Sequence, residues 1–287
     1  MKRTLSVLFA LTSLACATTT PVATPAPAPS LSPAAVADCD PGHSILNATL
    51  WVQTSAEYRA TTLQIYANAR KALDAALESP FVKGALEETS NDPTQPPAVI
   101  LDLDETVLDN SEFESRAIRA HTTYDSKMWK AWTAEGAARA VPGAAEFLAY
   151  AKSRGVTAFY VTNRDVEEEA GTRLNLERLG LPLDPNVDTL LLQGKNGWTT
   201  SDKSPRRAHV AATHRILLLI GDDLNDFAPA SGKTLAERNA LVESVRSWWG
   251  EVWFLLPNPM YGSWERAVVT PGGTPCEQVK KKVDALR

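Results

Sequence analysis

The sequence predicts an α/β fold in which a mostly parallel sheet is flanked by helices. From residue 98 onwards, short apolar segments alternate with segments of helical periodicity, which is typical of βαβ units. The apolar segments are continuous, as expected for strands that are buried on both faces of a sheet. The chain has 287 residues, of which 44% are hydrophobic, and is long enough to enclose such a sheet.

The predicted elements follow one another along the chain. A long helix over residues 46–78 comes first, because Tyr58, Ile65 and Leu73 recur near helical spacing. Five strands follow, over residues 98–103, 156–161, 189–192, 215–220 and 252–256. Four helices lie between them, over residues 142–153, 165–179, 204–213 and 234–249. The segment 109–141 is too long for a simple connection, so we expect a small helical insertion there, over the ligand site at the carboxyl ends of the strands.

The N-terminus has the pattern of a secretory signal. Basic residues at positions 2 and 3 precede an apolar run over residues 5–14, which is too short to span a bilayer. Two cleavage patterns overlap at its end. The four residues that end at Cys16 resemble a bacterial lipobox, whereas Ala15 and Ala17 on either side of Cys16 fit a plain small-x-small site. We expect a signal peptide over residues 1–15 and lipidation of Cys16.

An Ala/Pro/Thr-rich stretch over residues 16–45 follows, and its composition suits a semi-rigid tether. Lipidation of Cys16 would attach the domain over residues 46–287 to the outer membrane or the cell surface. A soluble periplasmic or secreted protein is the alternative. An exported chain lies in an oxidising compartment, so Cys39 and Cys276 either form a disulfide between the two ends of the domain or remain as two thiols.

The charge of the chain disfavours one class of partner. The formal net charge is −5, so the electrostatic attraction that drives binding to a nucleic-acid polymer is missing. The chain has three cysteines, and none of them has the paired spacing of a structural zinc site. We therefore expect neither nucleic-acid binding nor structural zinc.

Two acidic clusters each follow an apolar strand. Asp102 and Asp104 end the first strand, where the period of two starts them on the same side, and Asp222 and Asp226 follow the fourth. Parallel pairing would bring both strand ends to one edge of the sheet, and such crowded carboxylates require a cation. Oxygen ligands of this kind suit Mg²⁺. These residues could instead merely cap helices, but two clusters at two strand ends make that explanation weaker.

Further polar residues lie at neighbouring strand and helix ends. Thr162 follows the second strand, directly before Asn163 and Arg164, and its hydroxyl can donate to a phosphate oxygen. Lys203 precedes a helix, where a positive charge does not help the helix but can offset a dense negative site. Taken singly, a threonine here is more often a cap and a lysine is more often solvated surface.

Together these residues resemble the four ordered motifs of the haloacid dehalogenase (HAD) superfamily. The motifs are Asp102-Leu103-Asp104-Glu105-Thr106, then Thr162, then Lys203, then Gly221-Asp222-Asp223-Leu224-Asn225-Asp226. The segments around Trp51, Trp129, Pro142, Tyr160 and Pro257 narrow the resemblance to the class C bacterial acid phosphatases, including lipoprotein-e type 5′-nucleotidases, over residues 46–266. Asp223 departs from the pattern, since the family usually has Asn there.

The resemblance implies a HAD-like Rossmannoid sheet with a small helical cap and an N-terminal helix, and it implies roles for the site residues. Asp102 would be the nucleophile that forms an aspartyl-phosphate, and Asp104 the general acid and base. Thr162 and Lys203 would stabilise the phosphoryl oxygens. Mg²⁺ would be held by Asp102, the backbone carbonyl of Asp104, Asp222 and Asp226, the last of which could instead orient a metal-bound water or position Lys203. Substrate would be bound by Asn163, Arg164, Trp129 and Tyr261.

The function that this resemblance implies is a Mg²⁺-dependent acid phosphatase acting on small phosphomonoesters, with nucleoside 5′-monophosphates as the expected substrates. A phosphotransferase on the same fold is one alternative. A non-catalytic ligand-binding surface lipoprotein is another, but the motif aspartates at positions 102, 104, 222 and 226 are all present, which disfavours it.

Overall fold

The computed structural model of the protein describes residues 39–89 and 92–286. The predicted signal peptide, the lipidation site Cys16 and most of the predicted tether lie outside these residues. Within the described part of the chain, no helix combines the length and the apolar character that a membrane span requires.

The described residues form ten α-helices and seven strands, which alternate along most of the chain. The helices are α1 (Leu46–Thr54), α2 (Ala56–Glu78), α3 (Ser111–Arg119), α4 (Ser126–Glu135), α5 (Ala144–Ser153), α6 (Glu169–Arg178), α7 (Ser204–Ala211), α8 (Leu235–Ser244), α9 (Ser263–Val268) and α10 (Pro275–Asp284). The strands are β1 (Pro97–Leu101), β2 (Leu108–Asp109), β3 (Arg139–Ala140), β4 (Thr157–Asp165), β5 (Leu190–Gln193), β6 (Arg215–Gly221) and β7 (Trp253–Leu255).

Five of these strands form one parallel sheet in the order β5-β4-β1-β6-β7. The sheet is buried on both faces. Ala98 and Ile100 of β1 belong to one core, which includes residues of α7, and Val99 and Leu101 belong to the other, which includes residues of α2 and α5. The prediction of a parallel sheet with continuously apolar strands, flanked by helices, is confirmed.

The prediction of one helix over residues 46–78 is wrong at one position. The helix is interrupted at Ser55, whose backbone is extended (φ −79°, ψ 137°). Helix α1 therefore ends before Ser55, and α2 begins after it. The Ser55 hydroxyl accepts a hydrogen bond from the Tyr58 amide at 3.0 Å, which caps the new helix. The apolar spacing continues across this break, and periodicity alone therefore did not reveal it.

The last residues of the predicted tether belong to the folded unit. Residues Pro41–Ile45 form a short 3-10 helix whose Ile45 is buried, and Asp40 lies 2.6 Å from Nδ1 of His121. Cys39 forms a disulfide with Cys276 of α10, with the two Cα atoms 5.9 Å apart. The sequence left this pairing open, and the structure decides it. The predicted tether over residues 16–45 therefore extends too far, because residues 39–45 belong to the folded unit.

Replacement of both Cys39 and Cys276 by serine is expected to lower the free energy of unfolding by about 2–5 kcal/mol. The cross-link joins residues 237 positions apart and so restricts the unfolded chain strongly. Urea denaturation monitored by circular dichroism measures the effect. Wild-type protein treated with dithiothreitol should match the double variant, and an unchanged midpoint in both would contradict the prediction.

The segment between β1 and α5 contains the helices α3 and α4 and a small antiparallel pair, β2 with β3. α3 packs against α1, and α4 packs against α6. Gly171 of α6 permits the second contact, because a Cβ atom there would lie 2.2 Å from the backbone oxygen of Thr133 in α4. The insertion is thereby fixed at two places above the carboxyl edge of the sheet.

A buried carboxylate in α3 should make stability depend on pH. Glu114 is 6% exposed, and burial raises its pKa to about 7. The unfolded chain releases this proton near pH 4.5, so the free energy of unfolding falls as the pH rises from there to about 7. We expect Glu114→Gln to raise the free energy of unfolding at pH 8 by about 1–3 kcal/mol and to change it little at pH 4.

Urea melts at pH 4 and pH 8 test this expectation. Glu112→Gln is the matched control, because Glu112 lies on the same helix with its side chain 48% exposed. Its effect should stay below about 1 kcal/mol at both pH values. Equal shifts for the two variants would show that the burial of Glu114 has no such consequence.

Candidate active site at the carboxyl edge of the sheet

The register of the central strands brings three polar residues to one edge. Leu101 at the end of β1 pairs with Tyr160 of β4 on one side and with Ile220 of β6 on the other. Asp102 follows Leu101, and its amide donates to the Ile220 carbonyl at 3.0 Å. Thr162 lies two residues after Tyr160, and Asp222 lies two residues after Ile220. Residues that are 60 or more positions apart in the chain therefore meet at the ends of three adjacent strands.

Three carboxylates and one lysine form the centre of this edge. Asp102, Asp222 and Asp226 each offer an oxygen within 4.8 Å of the others. Lys203, at the start of α7, is buried and donates to Oδ1 of Asp102 and, at 2.6 Å, to Oδ1 of Asp226. Among the described residues, no group donates a hydrogen bond to the second oxygen of Asp102. That oxygen is therefore available to a ligand or a reaction partner.

The electrostatics of this centre favour the binding of a cation. Burial raises the pKa of Asp102 to about 7; Lys203 counteracts this, and Asp226 and Asp104 add to it. Burial, Asp226 and Asp102 likewise hold the pKa of Asp222 well above its usual range. Burial by itself lowers the pKa of Lys203, but the two carboxylates that it contacts raise it above its ordinary value. One lysine offsets only part of this negative charge.

Asp226 is held by the loop in which it lies. Its Oδ2 accepts from the backbone amides of Asp222 and Asp223 at 3.1 and 2.9 Å, while its Oδ1 accepts from Lys203. A Cβ atom at Gly221 would lie 2.3 Å from Oδ2 of Asp226, so the loop requires glycine there. Both oxygens of Asp226 thus have partners. Of the three roles expected for it, this arrangement favours the positioning of Lys203 over direct metal binding.

Asp222 is oriented by two side chains from other parts of the chain. The Thr106 hydroxyl donates to its Oδ1 at 3.2 Å, and the Asn258 amide donates to its Oδ2 at 2.9 Å. Each carboxylate oxygen retains a second lone pair for a further ligand. Thr106 and Asn258 were part of the motifs that carried the family resemblance, but the sequence assigned them no role.

Asp104 lies beyond the end of β1. The strand alternation that was expected to start its side chain on the same side as that of Asp102 therefore does not apply. β1 ends at Leu101, and a tight turn follows in which the amides of Val107 and Leu108 both donate to the Leu103 carbonyl. Glu105 has a positive φ of 59° in this turn. Because the strand geometry stops before Asp102, alternation no longer determines where the Asp104 side chain points.

The Asp104 carboxylate is fixed by two partners. Nη2 of Arg164 and the side-chain amide of Asn110 each donate to its Oδ1 at 2.8 Å. The Arg164 side chain is 1% exposed and also donates to Thr172 at 3.1 Å. The Arg164 guanidinium is thus engaged by protein partners, an arrangement that favours the positioning of Asp104 over the substrate contact that the resemblance implied.

Thr162 and Asn163, in the C-terminal part of β4, have different surroundings. Thr162 is buried, and its hydroxyl accepts from the Arg164 amide at 3.1 Å. In the described part of the chain, the hydroxyl hydrogen of Thr162 has no acceptor, so it can be donated to a ligand oxygen. Asn163 is exposed, and its side-chain oxygen accepts from Arg206 at 2.7 Å.

Trp129 of α4 belongs to a small aromatic cluster in the insertion. Its ring centroid lies 5.0 Å from that of Phe113 and 6.3 Å from that of Tyr124, and the Arg164 guanidinium lies 5.6 Å from its ring centre. Tyr124 is 63% exposed. The cluster thus connects the surface with the Arg164–Asp104 ion pair. The position of Tyr124 beside Trp129 was not predicted, because nothing in the sequence shows how the insertion folds over the sheet.

The other aromatic residues of the motif segments serve different purposes. The Tyr261 hydroxyl donates to the buried Glu105 and so ties the chain after β7 to the turn after β1. Trp132 is buried and donates to the Asn110 side chain at 2.9 Å. Trp264 borders a groove of about 900 Å³ between α2 and α8. The Tyr261 hydroxyl is therefore engaged with Glu105, whereas Trp129 lies in the insertion beside Arg164.

Comparisons with known proteins agree with this geometry. A sequence model of the family described as "HAD superfamily, subfamily IIIB (Acid phosphatase)" matches residues 14–264. The class C acid phosphatase of Bacillus anthracis is 34% identical with a TM-score of 0.75, over 87% of this chain and 99% of that chain. A second structure of the class C acid phosphatase of that organism, with tungstate bound, is 35% identical with a TM-score of 0.76 over the same shares.

Proposed function

Since the chain belongs to subfamily IIIB of the HAD superfamily and is an acid phosphatase, and hence a phosphomonoesterase, we propose that it hydrolyses nucleoside 5′-monophosphates and other small phosphomonoesters with the help of Mg²⁺. The observation that carries this proposal is the meeting of Asp102, Asp222, Asp226 and Lys203 within a few ångströms at the carboxyl edge of the sheet. Anionic oxygen donors beside a buried lysine are suited to hold a divalent cation and a phosphoryl group together.

The donor set fits Mg²⁺. Asp102 and Asp222 each have an oxygen that can bind a cation, and we expect the backbone carbonyl of Asp104 to be the third protein ligand. Asp226 would act indirectly, because Lys203 and two amides already use its oxygens. A bound Mg²⁺ would supply charge neutralisation for the phosphoryl oxygens and for the crowded carboxylates.

The first chemical step would be performed by Asp102. Its carboxylate oxygen forms a bond to phosphorus while the bond between phosphorus and the ester oxygen breaks, which gives an aspartyl-phosphate and an alcohol. Asp104 donates the proton that the departing oxygen receives. Lys203 holds the other oxygen of Asp102, so the carboxylate is already oriented when the substrate binds.

The second step would hydrolyse the intermediate. Asp104 accepts a proton from a water molecule that attacks phosphorus, and the bond between phosphorus and Asp102 breaks to release inorganic phosphate. Arg164 and Asn110 keep the Asp104 carboxylate in one place through both steps. Thr162 and Lys203 donate to the phosphoryl oxygens, whose charge is spread over them in the transition state.

The substrate class is supported by the aromatic cluster of the insertion. Trp129 and the exposed Tyr124 lie beside Arg164, on the side where the leaving group of a monoester would depart towards Asp104. Stacking of a base on an aromatic ring is worth roughly 1–3 kcal/mol and tolerates different bases. We therefore propose that Trp129 contacts the base of a nucleotide, and that Asn163 lies at the rim of the phosphoryl site.

We expect Trp129→Ala to raise KM for a nucleoside 5′-monophosphate by about 10-fold, since a stacking contact of that size is lost. KM for a small aliphatic phosphate should change little, because that substrate has no ring to stack. Phe81→Ala is the control, since Phe81 is an 82% exposed aromatic residue two positions after Ser79, whose backbone oxygen accepts from Arg215 at the start of β6, at the end of that strand opposite the site. Equal KM values for wild type and Trp129→Ala with every nucleotide would exclude the stacking role.

The activity is proposed to take place outside the cytoplasm, with the chain attached to the outer membrane or cell surface through Cys16. The charged and apolar pattern of residues 1–15 supports export, and the Cys39–Cys276 disulfide suits an oxidising compartment. Cell fractionation of Cys16→Ser against wild type tests the anchor: the variant should leave the membrane fraction, and its retention there would contradict lipidation.

A phosphate-release screen tests the proposed reaction. Nucleoside 5′-monophosphates, sugar phosphates and aryl phosphates are compared at acidic and neutral pH, with and without Mg²⁺. Release from several monoesters, fastest from nucleotides, is the expected result. Addition of short alcohols and analysis of the products would reveal transfer to another acceptor. Absence of release from every ester would overturn the proposed function.

A further inference from the structure

The first turn of α7 carries three buried cations on one face. Lys203, Arg206 and Arg207 have the i, i+3 and i+4 spacing that places side chains on the same side of a helix. All three are nearly inaccessible to solvent, which is unusual for lysine and arginine without partners of opposite charge. Only Lys203 belonged to the motifs that carried the family resemblance.

The three cations hold three different parts of the site. Lys203 binds Asp102 and Asp226, as described above. Arg207 donates to the backbone oxygens of Asn225 and Asp226 at 3.2 and 3.0 Å and forms an ion pair with Glu87 at 2.6 Å. It therefore fixes the loop after β6, and its charge is neutralised locally.

Arg206 holds the C-terminal part of β4. It donates to the Thr162 backbone oxygen, to the side-chain oxygen of Asn163 at 2.7 Å and to the Asp202 backbone oxygen at 3.2 Å. These acceptors are all neutral. The position of Thr162 in β4 thus depends on a side chain from α7.

Glu87 neutralises the charge of Arg207, whereas Arg206 has no such carboxylate partner among the described residues. Within the same part of the chain, the Nε of Arg206 is buried without an acceptor. Burial lowers its pKa to about 10, and Asp102 is the strongest of the nearby charges that counteract this. A buried guanidinium of this kind is costly unless an anion approaches it.

We propose that Arg206 is a positioning residue of the phosphoryl site: it fixes Thr162 and Asn163 for contact with the phosphate, and its unpaired charge strengthens the binding of the phosphoryl dianion. The inference rests on the proposed function, because it assigns the phosphoryl group of the substrate to this edge. Arg206 would act on the phosphoryl group, which all monoesters share, and not on the leaving group, in which they differ. Its loss should therefore affect all monoesters alike and should also weaken the binding of free inorganic phosphate.

Arg206→Met tests the inference against a matched variant, Arg215→Met. Arg215 is also buried, donates to a backbone oxygen (Ser79, 2.7 Å) and has a buried Nε without an acceptor. It lies at the start of β6, at the opposite end of that strand from Asp222. Both variants lose a buried guanidinium, which makes three hydrogen bonds at Arg206 and one at Arg215, but only Arg206 contacts the C-terminal part of β4.

Two measurements separate positioning from a merely structural role. For Arg206→Met we expect kcat/KM to fall by about 10- to 100-fold, by similar factors for nucleotide, sugar and aryl phosphates, since small misplacements of a reacting group have effects of this size. Isothermal titration with inorganic phosphate in Mg²⁺ buffer should show about 10-fold weaker binding. Arg215→Met should lower the melting temperature but leave both quantities within about two-fold of wild type.

Arg206→Lys keeps the positive charge but lacks the planar fork of donors with which Arg206 contacts Thr162, Asn163 and Asp202. It should recover part of the phosphate affinity, and it replaces the Met variant if that protein does not fold. Folded Arg206 variants with wild-type kcat/KM and phosphate affinity would overturn the inference while leaving the phosphatase intact. If wild-type protein hydrolyses no ester, the proposed function fails, and the phosphate titration alone decides the role of Arg206.

Discussion

Replacement of Asp102 by asparagine is expected to reduce phosphate release by more than about 10⁴-fold and to leave the fold intact. Loss of a catalytic nucleophile has effects of this order or larger in other hydrolases. An amide cannot form the aspartyl-phosphate, and the variant also removes the negative charge that Lys203 contacts. The side chain keeps its size, and Asp226 still pairs with Lys203, so the loops at this edge should keep their positions.

Initial rates of phosphate release, together with circular dichroism and thermal melting, measure both parts of this prediction. Asp223→Asn is the matched control, because it removes a neighbouring carboxylate that binds Asn225 and Ser263 rather than the central cluster. It should retain activity within a few-fold of wild type. Wild-type turnover in a folded Asp102→Asn protein would refute the assignment of the nucleophile.

Removal of divalent cations is expected to lower activity by more than about 100-fold, and added Mg²⁺ should restore it. The physical reason is the crowding of three carboxylates within 4.8 Å, of which Lys203 neutralises only part. A phosphate dianion would add further negative charge to the same place. Dialysis against a chelator, followed by titration with Mg²⁺, gives the activity curve.

A second measurement does not depend on turnover. Mg²⁺ should raise the melting temperature of the dialysed protein, because a ligand that binds only the folded state stabilises it. Asp222→Asn should raise the Mg²⁺ concentration for half-maximal effect by about 10-fold or more in both experiments. Full activity after exhaustive chelation, with no thermal shift on adding Mg²⁺, would rule out the metal role.

The sequence predicted the composition of the site better than its geometry. Continuous apolar segments at 98–103 and 215–220 indicated adjacent buried strands, and the acidic residues after them indicated a common edge, as the register of Leu101 with Ile220 bears out. The sequence did not reveal the break at Ser55, since a helix cap depends on one hydroxyl and apolar periodicity extends across it. It also did not reveal which partner each polar group finds.

The roles of Arg164 and Arg206 illustrate that difference. The family resemblance assigned Arg164 to substrate binding together with Asn163, its neighbour in the sequence. In the folded chain the Arg164 side chain turns to Asp104, 60 positions away. Arg206 lies outside the motif pattern, but its side chain contacts Thr162 in β4, 44 positions away. Residues so distant in sequence come into contact only once the sheet has formed with its particular strand order.

The amino-acid sequence by itself determined the alternation of strands and helices, the buried character of the sheet and the chemical types of the site residues, because periodicity and residue type are local properties. The tertiary structure alone decided the strand order β5-β4-β1-β6-β7, the pairing of Cys39 with Cys276 and the partners that each charged residue contacts. Hydrogen bonds and ion pairs act over a few ångströms. They can therefore be assigned only once packing has fixed which distant segments lie within that range.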